Sequence, residues 1–160
     1  MKIIGIAIQR EEDGVMEELK EVEVTREAGL NGDFSGKPGP RQVTLLSQHQ
    51  WEMAYNVLKL KTPLPWTLRR ANLCIQGIFV FSHEDLGRKL NIRDDLILQI
   101  TGENNPCERM DEAHPGLRAA LTPGWRGGAT CKVIRGGHIR IGSDVIFPLK
   151  AQSRLHNTAQ

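Results

Sequence analysis

What the chain lacks narrows its class. No apolar run approaches the ~20 residues that span a bilayer. The N-terminal run in "MKIIGIAIQREED" is six residues long, shorter than a secretion-signal core, and no small-residue cleavage site follows it. Cysteine is sparse and odd in number: Cys74, Cys107 and Cys131, with no C-x-x-C pair. That argues against a disulfide framework and a zinc knuckle. An excess of one charge is also missing. The formal net charge is +2 and the isoelectric point about 8.5, too little for the basic stripe that nucleic acid calls for, though compatible with a pocket for a small anion. Together these absences point to a cytoplasmic protein with no nucleic-acid or membrane partner, in a compartment where a thiol stays a thiol. At 160 residues, 39% hydrophobic and 25% charged, the chain can bury one core. No linker, charged run or repeat divides it. Residues 1–150 read as a single domain and 151–160, "AQSRLHNTAQ", as a frayed tail.

What is present is a series of short strands punctuated by glycine. "KIIGIAI" alternates Ile4, Ile6 and Ile8 against Ile3, Gly5 and Ala7. "ELKEVEVTRE", "RQVTLL", "LRRANLCIQGIFVF", "DLILQIT", "ATCKVIR", "HIRIG" and "DVIFPL" read as extended, with Gly136-Gly137 as a two-residue hairpin turn between two of them. "SQHQWEMAYNVLKL" is the one long helix. Ser47 caps it, Gln50 fits a capping box, and Trp51, Ala54, Tyr55 and Leu58 share a face. "SHEDLGRKL" suits one helical turn behind Ser82, and "CERMDEAHPGLRAAL" two helical pieces broken at Pro115-Gly116. Strands separated by turns rather than helices predict a mainly β fold. The expectation is a mostly antiparallel barrel with one longer helix and short helical excursions.

The glycine loop "GLNGDFSGKPGP" fits neither G-x-G-x-x-G nor G-x4-G-K-[ST]. It is a long surface loop or, with Lys37 and Arg41, an anion-binding concavity of backbone N–H groups. Arg69 and Arg70 are adjacent. On a strand they point to opposite faces, so one of them at most reaches a given pocket, where a guanidinium could hold a phosphate or carboxylate. The histidines, His49, His83, His114, His138 and His156, show no metal-ligand spacing; His114, seven residues after Cys107, is a weak signal. No G-x-S-x-G supports a hydrolase. Cys131 shares a strand face with Ala129 and Val133, and Cys74 lies between Leu73 and Ile75; both read as structural. Cys107 differs. In "ITGENNPCERM" it leaves a strand end through Asn-Asn-Pro, a turn that can aim it at a cleft. It then opens a helix whose N-terminal N–H groups favour a thiolate. Arg109 adds to that, and Glu108, Asp111 and Glu112 oppose it unless they point away.

Five separated segments, "GLNGD", "RQVTLL", "LRRANL", "ITGENNPCERM" and "VIRGGHIRIGSDV", together resemble the MOSC domain, named for the C-terminal domain of molybdenum cofactor sulfurases. The resemblance runs from Gly29 to Val145. It departs at Gly102-Glu103-Asn104, which sits beside the cysteine, and at Gly142-Ser143-Asp144, which carries an inserted Ser. The resemblance implies a β-barrel and molybdenum cofactor or sulfur-transfer work. It matches Cys107 to the family's sulfur carrier, and Arg41, Arg69 and Arg70 to arginines that grip the cofactor's phosphate. Asn72, Gly32 and Asp33, in the same motifs, are further cofactor-binding candidates. It implies a pyridoxal-phosphate-dependent cysteine desulfurase as sulfur donor, because this chain has no such domain, and a molybdoenzyme as recipient. Two alternatives stand beside it. One is a permanently held molybdenum cofactor with Cys107 as metal ligand, reducing N-hydroxylated compounds with an electron-transfer partner. The other is a non-catalytic cofactor-binding module whose cysteine only packs. The leading reading requires Cys107, Arg41 and one of Arg69 and Arg70 to share a cleft.

Overall fold

The computed structural model describes residues 1–148; the tail expected at 151–160, and Leu149 of the expected last strand, lie outside the described residues. In chain order the elements are β1 (Lys2–Gln9), β2 (Met16–Glu18), β3 (Glu21–Thr25), β4 (Gly29–Leu30), β5 (Val43–Ser47), α1 (Gln48–Val57), β6 (Leu73–Gln76), β7 (Lys89–Ile92), β8 (Leu96–Glu103), α2 (Glu108–Ala113), α3 (Leu117–Leu121), β9 (Ala129–Arg135), β10 (Gly137–Arg140) and β11 (Val145–Ile146). Single 3-10 turns occur at Trp66–Arg69 and His83–Asp85. Among the described residues, no helix is long and apolar enough to cross a membrane.

The fold is mainly β. Eight strands form one sheet in the order β11-β7-β8-β9-β5-β6-β1-β2. Every neighbouring pair is antiparallel except β5 and β6, which run parallel. The sheet curls until β1 meets the approach to β11. Lys2 bridges Asp144, Ile3 N donates to Ser143 O at 2.9 Å, and Val145 N donates to Met1 O at 2.8 Å. The wrap is therefore barrel-like, completed by a bridge rather than by a full ladder. A second sheet, β10-β3-β4, is hydrogen-bonded separately and packs Val22, Val24, Leu30 and Ile139 into the same core.

Strict alternation in β1 would put Ile3 and Ile6 on opposite faces, yet both belong to the main core with Ile8. A register shift between Ile3 and Gly5 rephases the strand, as a β-bulge does. The expected Gly136-Gly137 hairpin does not form either. β10 leaves β9 and pairs with β3, His138 opposite Glu23. A Cβ at Gly136 would lie 2.6 Å from Val24 O, so glycine is what lets the chain cross so close to β3. In α1, Ser47 caps as expected, its Oγ accepting from Gln50 N at 3.3 Å. The Gln50 side chain does not return to Ser47. It pairs with the backbone of Phe81, donating to Phe81 O at 3.2 Å and accepting from Phe81 N at 2.8 Å. Two buried backbone groups with no strand partner outweigh one at a helix start.

The segment expected to be extended before β6 is instead the 3-10 turn Trp66–Arg69, followed by Arg70 at φ 61°, ψ 32°. Pro63 and Pro65 break the chain ahead of it, and Leu68 N and Arg70 N bond back three residues to Pro65 O and Thr67 O. The helices form a second apolar cluster. Trp51, Ala54, Met110, Leu117, Ala120 and Leu121 pack with Leu46 and Ala71, and this fixes α2 beside the sheet.

The turn into β9 depends on Gly128, at φ 103°, whose missing Cβ would stand 2.1 Å from Leu45 O. Gly128→Ala is expected to cost at least about 2 kcal/mol, from backbone strain plus a main-chain clash. Urea unfolding that shows a stability within about 0.5 kcal/mol of the parent would refute this account.

Candidate functional site

The site is built where β8 runs out. Asn104, buried, continues the ladder by donating its N–H to Gly128 O at 2.9 Å. Asn105 and Pro106 then carry the chain to Cys107, which is exposed and caps α2. The Cys107 carbonyl accepts from Met110 N at 2.9 Å. Its thiol makes no hydrogen bond to the helix amides. The charges that act on the thiol are Arg69 and Arg109, both electrostatically coupled to it.

Cys107 opens on a cleft of about 500 Å³ that Arg41, Arg69, Arg70, Asn72 and Asp33 also line. Gly32 lies off this cleft at φ 87°, next to Arg10 and Ile8. Lys37 is exposed and is not part of the cleft wall. Both members of the Arg69-Arg70 pair reach the cleft, against the expectation of opposite faces. A 3-10 turn ending in a left-handed residue does not alternate its side chains as a strand does.

Each arginine is held differently. Arg69 is 5% exposed. Its Nε donates to Gly127 O at 2.8 Å and its Nη2 to Asn104 O at 2.7 Å. Burial pushes its guanidinium down to about 10, with nearby Cys107 opposing the shift and Arg41 adding to it. Arg70 donates to Gln9 Oε1 and, at 2.7 Å, to Gly14 O. Arg41 is exposed and donates to Asn104 Oδ1 at 3.2 Å. Arg109 pairs with Asp13.

Asn72 and Asp33 form the floor. The Asn72 Oδ1 accepts from Thr44 N at 3.0 Å and Thr44 Oγ1 at 3.2 Å, and its Nδ2 donates to Ala7 O at 3.2 Å and to Asp33 Oδ2 at 3.3 Å. Asp33 Oδ1 accepts from Gln9 N at 2.9 Å. Burial raises the Asp33 carboxyl above the usual carboxylate range, and the Gln9 and Asn72 bonds oppose the shift. Asn104, Gln9 and the Gly127 carbonyl were not legible as site residues. Asn104 bonds to two arginines at once, through a backbone and a side-chain oxygen, and spacing does not encode that.

The other thiols are shut away. Cys74 and Cys131 are fully buried; burial first, then Glu52, pushes the Cys74 thiol up to about 12, and burial drives Cys131 upward as well. Among the described residues no group of three or more His, Cys, Asp or Glu is placed to hold a metal ion. His114 bonds to Pro115 O rather than approaching the cysteine.

The model of the MOSC domain matches residues 31–146. The chain belongs to the MOSC domain family. Similar solved structures agree in fold. The YUAD protein from Bacillus subtilis has 21% identity and a TM-score of 0.72, covering 90% of this chain and 93% of that one. YiiM from Geobacillus stearothermophilus has 14% identity and a TM-score of 0.71, covering 95% and 77%. YiiM from Escherichia coli has 13% identity and a TM-score of 0.63, covering 94% and 71%. No curated protein matches the chain. Membership of the MOSC family carries a molybdenum-cofactor-related function at the level of the family.

Burial of the other two thiols makes the labelling pattern of this MOSC chain predictable. Brief treatment of the native protein with iodoacetamide should modify Cys107 alone, with Cys74 and Cys131 reacting only after unfolding. Peptide mapping that finds early label on Cys74 would contradict the packing described.

Proposed function

We propose that Cys107 is the sulfur carrier of a molybdenum-cofactor-related pathway. The observation that carries this reading is that one thiol of three is exposed, and that it faces a cleft also lined by Arg41, Arg69, Arg70 and Arg109. The Cys107 thiolate attacks the outer sulfur of a persulfide on a cysteine desulfurase. The donor's sulfur–sulfur bond breaks, its cysteine leaves as a thiolate, and Cys107 holds the persulfide. Unloading that sulfur as sulfide to a metal–sulfur centre takes two electrons from a thiol reductant and restores the thiolate. The persulfide is anionic, and the neighbouring guanidiniums stabilise it where it forms. Asn104, held between Arg41 and Arg69, keeps those charges facing the thiol. The proposed setting is the cytoplasm, with a desulfurase as donor and a molybdoenzyme as recipient.

The donor set fits a molybdenum cofactor. A thiolate is a soft ligand suited to such a centre, and guanidiniums suit a phosphate through paired hydrogen bonds. Arg41, which forms no salt bridge among the described residues, is the first choice for the phosphate. Arg69 and Arg70 stand behind it, and Asn72 and Asp33 are the polar contacts proposed for the pterin. When bound, the group would supply redox chemistry, and Cys107 is the residue that would ligate it. That is the second reading, a reductase of N-hydroxylated compounds with an electron-transfer partner, and the same exposed thiol favours it. A cysteine that only packs is disfavoured, because Cys107 is exposed.

Incubation with a cysteine desulfurase and cysteine, followed by peptide mass spectrometry, should add one sulfur atom at Cys107 and none in Cys107→Ser. Sulfur on Cys74 or Cys131 instead would sink the proposal. Protein purified from a host that makes the cofactor should carry molybdenum far below one atom per chain; stoichiometric metal, lost in Cys107→Ser, would favour the reductase reading.

A further inference from the structure

The tip of the β1–β2 hairpin lies beside the cleft of Cys107, and two arginines that line that cleft hold it. Arg109, two residues after Cys107, pairs with the Asp13 carboxylate. Arg70 donates to the carbonyl of the next residue, Gly14, at 2.7 Å. Arg70 also feels the Asp13 charge. Asp13 itself is in the left-handed region at φ 55°, a conformation Asp tolerates better than most residues.

These contacts sit on a boundary. A second cleft of about 510 Å³, lined by Asp13, Val15, Thr67 and Glu112 among others, adjoins the first. Arg70, Arg109 and Met16 line both clefts and so form the wall between them. Glu112 faces Arg109 from the second cleft and is the other acid near the pair. Two guanidiniums side by side repel each other; an anion between them relieves that, and here the anion is the chain's own.

We propose that Arg70 and Arg109 form a seat for a carboxylate, that Asp13 occupies it as an internal ligand, and that a carboxylate-bearing reactant displaces Asp13 and is thereby held beside Cys107. The exchange is physically cheap. Asp13 is 70% exposed and Arg109 41% exposed in their side chains, and ion pairs at such positions are worth little because water and salt screen them. An incoming carboxylate replaces one exposed ion pair with another. This inference rests on Cys107 being the reacting group of the cleft, but not on what it carries.

The test is the rate at which Cys107 of the full chain exchanges with two disulfides: 5,5′-dithiobis(2-nitrobenzoate), which bears carboxylates, and neutral 2,2′-dithiodipyridine. In each exchange the thiolate attacks one sulfur and the other leaves as a thiolate. The ratio of the two rates cancels differences in thiol reactivity and access. Asp13→Asn should raise the ratio about two- to fivefold, the range spanned by an exposed ion pair, and Arg109→Gln should lower it. Asp144→Asn, which removes the same charge from a residue that pairs with Lys2 and lines neither cleft, should leave it unchanged. Equal ratios in Asp13→Asn and Asp144→Asn would overturn the proposal, as would a parallel rise of both rates in Asp13→Asn, which would make the hairpin a steric cover with no carboxylate seat. Failure of Cys107 to accept sulfur from a desulfurase would leave this ratio measurable, because disulfide exchange needs only the thiol.

Discussion

The buried guanidinium of Arg69 is the constraint on which the site depends. A charge removed from water is costly unless hydrogen bonds replace its solvent, and Arg69 receives two, from the carbonyls of Gly127 and Asn104. Those carbonyls lie on the approach to β9 and just beyond the end of β8. The same Asn104 donates its N–H to Gly128 and presents its side-chain oxygen to Arg41. One residue from the turn before β6 thus ties together the loop that leads to Cys107 and the turn that starts β9. Removing the guanidinium would leave two carbonyls near the cleft without their donors and would free the loop that aims the thiol.

The pattern of burial explains how three cysteines in one chain come to have separate fates. β9 and β6 are internal strands of the large sheet, and Cys131 and Cys74 on them are fully buried. Cys131 and Cys74 are therefore fillers whose ionised forms burial makes unfavourable. Cys107 escapes because Pro106 and the polar Asn105 end the strand outside the sheet, while Met110, one turn on, anchors α2 in the helical cluster. The anchor and the exposed thiol are three residues apart, close to a helical turn, and both line the cleft.

Much of this was legible in the sequence, and what was not has physical causes. Period-two patterns located β3, β5, β8 and β9, and Pro115-Gly116 located the break between α2 and α3, because local sterics and solvation determine those features. The distinction between Cys107 and the two packed cysteines was legible for the same reason. The partner of β10 was not, because Gly136 is compatible both with a tight hairpin and with a close crossing, and only the position of β3 decides between them. The Arg69-Arg70 pair was misread for a related reason. The extended reading of "LRRANLCIQGIFVF" began at Leu68, in residues that Pro63 and Pro65 had already turned into a 3-10 segment. Gln50 fitted a capping box by spacing, but the unpartnered backbone of Phe81 was the stronger claim on its amide, and that claim is visible only in three dimensions.

The composition also concealed the site's electrostatics. A formal charge of +2 spread over 160 residues gives no hint of a strongly basic cleft, yet four guanidiniums line one. The way each is satisfied keeps the field positive. Carbonyl and amide oxygens around Arg69, Arg70 and Arg41 solvate the charge without cancelling it, since a dipole orients toward a cation but carries no net charge. Asp33, the one acid that lines the cleft, has its carboxyl raised by burial, with the Gln9 and Asn72 bonds opposing the shift. Asp13 alone forms an ion pair with a cleft arginine among the described residues, and it comes from a hairpin tip rather than from the sheet. The approach to β5, the turn before β6 and the start of α2 therefore supply the positive charge around the thiol, and an exposed hairpin tip supplies the ion-paired acid. Such a division suits a cleft that must admit and release an anion, because it places the exchangeable charge on the element that is cheapest to move.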